Sequence, residues 1–169
     1  MEKIIDIYEV YSAMNSQHMM ESVQKDDAIS WVKEELGILL DKARVELVSY
    51  VEEHQEAIQL DKIENIFSKI KHTVEILEVH GAILLAEEMQ HLVSALKKDV
   101  VKNKENTFDV LLRAILVFSD YLEQVQLIGK EVPLVLLPLL NDLRTLRNAE
   151  LLSGKLLFFP ILHKVQVPQ

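Results

Sequence analysis

The sequence predicts an all-α protein: an antiparallel four-helix bundle with an extra helix and an extended C-terminal arm. Three observations carry that expectation. Apolar residues recur at three- and four-residue steps along most of the chain, as in Ile63, Ile66, Phe67, Ile70, Val74 and Leu77. This is the period of one buried helix face. Gly and Pro number only four each, whereas Leu, Glu, Lys and Ala are frequent, a balance that favours helix over strand. Breaks in the pattern also fall at helix-length intervals, at Gly81, the polar stretch 100–107, Gly129 and Pro133.

Residues 1–25 read as an N-terminal amphipathic segment and linker, 26–147 as the bundle and 148–169 as the arm. In the first segment Ile4, Ile5, Ile7, Tyr8, Val10, Tyr11 and Met14 alternate with acids, which suits either a docking helix or a leader that pairs in an oligomer. Asp26 and Asp27 are N-cap candidates for a first helix reaching about residue 53. Its stripe is Ile29, Val32, Leu36, Leu39, Leu40, Ala43, Leu47, Tyr50 and Val51, with Trp31 beside it and expected half buried. Residues 54–60 connect to a helical hairpin at about 60–79 and 82–102. There Gly81 either ends the first helix or lets two helices approach closely. Asn106 or Thr107 should cap a fourth helix that ends near Gly129, a natural residue for the left-handed exit. Pro133 suits the first turn of a fifth helix, and Pro138 should bend it. The run after Asn148 is apolar but punctuated by Gly154, Pro160 and Pro168, hence the extended arm.

The 169 residues suffice for one domain with a sizeable core. The absence of Cys removes disulfides and thiolate metal sites and suits a cytoplasmic location. A net charge of −9 repels phosphate backbones and anionic membranes, which argues against nucleic acid as a partner. No apolar run reaches the roughly 18 residues that a membrane span needs, so no membrane insertion is expected. The acidic, interrupted N-terminus is unlike a signal peptide. The chain also lacks an obvious final cap or polar tail, which fits a piece of a longer multidomain protein.

Two stretches carry a family resemblance. VEILEVHGAILLAEEM (74–89) and VPLVLLPLLNDLRTLRNAELLSGKLLF (132–158) resemble the histidine-phosphotransfer (HPt) domain, in the divergent form of the Chp-type chemosensory histidine kinases (ChpA/PilL) and their FimL-type relatives. The resemblance covers about residues 28–158. It implies an HPt-like bundle, a place in the two-component control of type IV pili and twitching motility, and a protein partner. That partner would be a response regulator or a scaffold of the pilus system.

The HPt pattern is His-x-x-Lys/Arg-Gly. Aligned through GAILLAEEM, the phospho-accepting position falls on Ser68, Lys71 matches the basic residue and His72 replaces the glycine. A neutral serine hydroxyl lacks the basic lone pair of imidazole, and phosphoserine is too stable to relay. Read from His72 instead, the next positions are Glu75, which would repel a phosphoryl group, and Ile76, which would block the approach. Ser68, Lys71, His72 and Glu75 lie on the polar side of their helix, either as a plain solvated face or as a docking surface that has lost its nucleophile.

Other constellations are thinner. Glu88 and His91 form a Glu-x-x-His step, as in carboxylate-bridged di-iron bundles, but no second copy exists, and Glu87 and Glu88 flank the stripe where they should face water. No metal or cofactor is therefore expected. His80, beside Gly81, is placed to favour a helix C-terminus. Asn141, Asp142 and Arg144 suit either capping and salt bridging or a family-specific groove. No phosphate loop, nucleophile elbow or His-Glu-x-x-His motif occurs, so an independent enzyme is not expected. The expected function is a degenerate, non-phosphorylatable HPt-like interaction domain, as in the N-terminal part of a hybrid histidine kinase. The alternatives are an active phosphotransfer domain using His72 and a structural oligomerisation module.

Overall fold

The computed structural model describes residues 30–52 and 57–158. The N-terminal segment, the Asp26 and Asp27 caps, Ile29, His54 and the arm beyond Phe158 lie outside the described residues. The chain divides into two compact units between Glu35 and Leu36. In the first, residues 30–35 are helical and Val32 is buried. Trp31 is 68% exposed, more than its expected half-burial. One residue is a 100° step around a helix, which carries Trp31 well off the face that Val32 buries.

The second unit is built on helices that each bury one stripe. From Leu36 onward, the buried positions of α1 (residues 30–52) are Leu36, Leu39, Leu40, Ala43, Leu47 and Tyr50. Val51 falls just past that stripe and is exposed. In α2 (Ala57–Ile76) they are Leu60, Ile63, Phe67, Ile70 and Val74. α1 lies along α2, where Ser49 accepts from the Gln59 amide and Glu46 faces Lys62 at 3.9 Å. It also meets α4 through the Tyr50 and Phe108 rings, 5.2 Å apart between centroids.

α2 stops at Ile76, and the chain turns through Leu77–Val79 with Glu78 left-handed at φ 55°. Gly81 is therefore the second residue of α3 (His80–Lys97) rather than a stop signal for α2. Its role is close approach. A Cβ at Gly81 would sit 2.4 Å from the Tyr121 hydroxyl and 2.8 Å from the ring carbon bearing it, distances no side chain tolerates. For the same reason His80 opens α3 and does not sit at a C-terminus. α3 is the most buried helix, with Ala82, Leu85, Ala86, Met89, Leu92 and Val93 in the core.

α4 (Lys104–Ile128) is capped by Asn103, whose side-chain oxygen accepts from the Asn106 N–H at 3.0 Å. The expected caps, Asn106 and Thr107, are instead inside the first turn. Thr107 folds its hydroxyl back onto the Asn103 carbonyl at 2.7 Å and is buried. At the other end Gly129 takes the left-handed conformation at φ 72°, as expected, and its N–H reaches the Val125 carbonyl at 2.9 Å.

The fifth helical segment is split. Pro133 starts a 3-10 turn, Pro133–Leu136, and α5 (Leu137–Leu146) begins with Pro138 in its own first turn. Each proline thus occupies a place where no N–H is required, which is how the chain accommodates two prolines five residues apart. α5 buries Leu139, Leu140, Leu143 and Leu146 against α3 and α4. Residues 149–153 run without helix or strand, and a short α6 (Gly154–Phe158), absent from the hydrophobic periodicity, rests on the 3-10 turn. No strand occurs among the described residues, and no described helix is long and apolar enough to cross a membrane.

Candidate functional site

Ser68, Lys71, His72 and Glu75 stand at steps of three, one and three residues on α2, so one side of the helix presents all four. Phe67, Ile70 and Val74, all fully buried, fix that orientation by pinning the opposite side to the core. Ser68 and Lys71 are half-buried, whereas His72 and Glu75 are exposed. Lys71 Nζ lies 2.9 Å from Glu87 Oε1 on α3 and 3.9 Å from Glu75 Oε1. The hydrogen bond to Glu87 is the main reason the Lys71 ammonium holds its proton above the ordinary lysine range; burial opposes it, and the Glu87 and Glu75 charges add to it. The His72 ring places Nδ1 2.7 Å from the Ser68 carbonyl. A carbonyl can only accept, so Nδ1 carries the proton in this arrangement.

The site therefore differs from its sequence reading in one partner. Glu87 does not simply face water. It is half-buried and meets Lys71 across the α2–α3 seam. Glu88 departs further from the expectation of a solvent-facing acid, being only 2% exposed among the core leucines of α3. Burial of that carboxylate is made possible by two cations from α5 and the turn after it. Arg144 Nη1 meets Glu88 Oε1, and Arg147 Nη2 meets Oε2, each at 2.5 Å. His91 is exposed on its own. Among the described residues no cluster of three or more His, Asp or Glu could hold a metal.

The polar residues of α5 act as fasteners. Asn141 bonds both backbone groups of Leu152, accepting from its N–H at 2.8 Å and donating to its carbonyl at 3.1 Å. Arg144 also donates through Nε to the Glu150 carbonyl, and Asp142 pairs with Arg113 of α4. A second carboxylate, Glu131, completes the start of α3. It accepts the backbone N–H groups of His80 at 3.0 Å and Gly81 at 2.9 Å, with the Tyr121 hydroxyl at 3.4 Å. Burial first, then the Glu131 charge and hydrogen bond, hold the Tyr121 phenol well above the usual tyrosine range. A negative group at a helix N-terminus is favoured by the exposed N–H groups there. No local pattern announces the Glu131 cap or the Arg pair, since His80 and Gly81 lie about fifty residues from Glu131 and Glu88 lies 56 and 59 from the arginines.

No protein-family model matches the chain. In sequence it is similar to the scaffold protein FimL of Pseudomonas aeruginosa, 29% identical over 117 residues. That match takes in 69% of this chain and 21% of FimL, so the chain spans about a fifth of its relative. In fold it is similar to the phosphorylated P1 domain of CheA3 from R. sphaeroides, solved in complex with CheY6. The TM-score is 0.63 at 16% identity, over 71% of this chain and 94% of the other. The described residues thus take a helical, HPt-like fold, and the chain is similar in sequence to part of FimL.

Proposed function

We infer that this domain is a degenerate HPt-like interaction module of a chemosensory two-component system controlling type IV pili and twitching motility. It would act in the cytoplasm, within a larger protein such as a hybrid histidine kinase or a FimL-like scaffold. Its partner would be a response regulator or a pilus-system scaffold protein. The similarity to a scaffold protein and to a P1 domain solved with CheY6 supports a protein partner.

The observation that carries the loss of phosphotransfer is the state of Lys71. A phosphorelay lysine must be available to balance the incoming phosphoryl charge, yet Lys71 is taken by Glu87 and flanked by Glu75. Ser68 stands where the resemblance places the nucleophile, and the lysine three residues on is held by two carboxylates. One observation favours the rival reading. With Nδ1 bound to the Ser68 carbonyl, the exposed His72 keeps a basic Nε2. Glu75 one turn away opposes phosphorylation there, and the degenerate reading is the better supported.

Capture of partners from lysate on the wild-type domain, beside Lys71→Glu/His72→Glu, tests where function resides. A regulator or scaffold lost in the double variant supports the α2 face. The same partner retained by both moves the interface elsewhere.

A further inference from the structure

We propose a second docking surface, independent of the α2 face: the outer side of α4, which fits a basic amphipathic helix of a protein partner. Glu105, Asp109, Leu116, Asp120, Glu123 and Leu127 fall at steps of three and four residues (with seven between Asp109 and Leu116), so they line one side of this 25-residue helix. All six are exposed, and the two leucines strongly so, at 63% and 79%.

Charge decides what covers this side. Acids that face neighbouring helices are matched by cations: Glu46 with Lys62, Glu87 with Lys71, Asp61 and Glu64 with Lys97, Glu88 with Arg144 and Arg147. The four acids of the α4 side make no ion pair among the described residues. Each pair of acids is followed by an exposed leucine, so the surface offers apolar contact and uncompensated negative charge at helical spacing.

The complement is a helix carrying Leu or Ile in one row with Lys or Arg beside it. Nucleic acid and anionic lipid are repelled by the same carboxylates. The shape agrees. Beside the Glu105–Asp109 end of the stripe lies an open groove of about 240 Å³ between α4 and α5, lined by Asn106, Val110, Arg113, Asp142, Thr145 and Leu146. A partner helix seated on α4 would rest one flank against it.

The test uses the 169-residue chain and a synthetic leucine–lysine amphipathic peptide as probe, with binding followed by calorimetry and by methyl NMR. The expected result is shifts at the Leu116 and Leu127 methyls, and affinity about tenfold weaker in Asp109→Lys/Asp120→Lys/Glu123→Lys. A control of equal charge change, Glu34→Lys/Asp41→Lys/Glu52→Lys on exposed positions of α1, should bind nearly as wild type. Leu116→Ser/Leu127→Ser, which leaves the charge unaltered, should also weaken binding. Equal loss in both charge-reversed variants, or unmoved Leu116 and Leu127 methyls, would show mere attraction to an acidic protein and overturn the proposal.

Discussion

Glu88 of α3 receives Arg144 and Arg147 with one guanidinium on each carboxylate oxygen, both at 2.5 Å, in the least exposed ionic site among the described residues. The arrangement joins α3 to the end of α5, and Arg144 extends it to the Glu150 carbonyl. Removing the acid leaves two arginines, each under a fifth exposed, without their counter-charge. Glu88→Ala should therefore cost about 3–5 kcal/mol in urea unfolding. Glu88→Gln, which keeps the shape and loses the charge, should recover only part of that. A loss under about 1 kcal/mol would mean that water replaces the acid freely.

Gly81→Ala should destabilise the domain by about 1–3 kcal/mol, because the added methyl meets the buried Tyr121 ring, which has little room to move. Pairing it with Tyr121→Leu should give less loss than the sum of the two single changes. Thermal melts of the four proteins in the cycle read this directly.

Asn141→Ala should release the segment after α5. Both backbone groups of Leu152 lose their partner, at about 1 kcal/mol. The Leu152 amide should then exchange with solvent much faster, while amides in α3 stay protected, as mass-spectrometric hydrogen exchange would show.

Tyr121 sets an alkaline limit. Its phenol is held above the ordinary value of 10.0, by burial first and then by Glu131. A group with a raised folded pKa contributes fully below its unfolded value, and that contribution falls away as pH climbs toward the folded value. Stability should therefore decline above pH 10, more gently in Tyr121→Phe. Ultraviolet titration should show one tyrosine ionising late, and that late step should be missing from the variant.

Much of the fold was legible because helical burial repeats every three or four residues: Leu36, Leu40, Ala43 and Leu47 of α1 and Ile63, Phe67, Ile70 and Val74 of α2 are core where that period places them, whereas Val51 is exposed. Gly129 was readable for a similar reason, since a left-handed exit strongly prefers glycine. What escaped depended on distant partners. Glu88 beside an apolar stripe looks like any solvated acid until two arginines from 56 and 59 residues away meet it. His80 looked like the end of a helix because Glu131, which caps it from fifty-one residues on, leaves no local trace. The Asn103 cap lost to Asn106 and Thr107 in the sequence reading because all three residues are able caps and only the chain's path chooses among them. On the α2 face, the family resemblance set Ser68, Lys71 and His72 against the HPt pattern, but the Lys71–Glu87 pair needed the packing of α2 on α3.

The most direct measurement of the central claim is phosphoryl transfer from an acetyl phosphate-charged response regulator, or from a chemosensory kinase, to the wild-type domain and to His72→Gln. The account predicts no label on either protein, even while the regulator is retained on the wild-type domain. Label on the wild type that disappears in His72→Gln would contradict it and make the domain a working phosphocarrier.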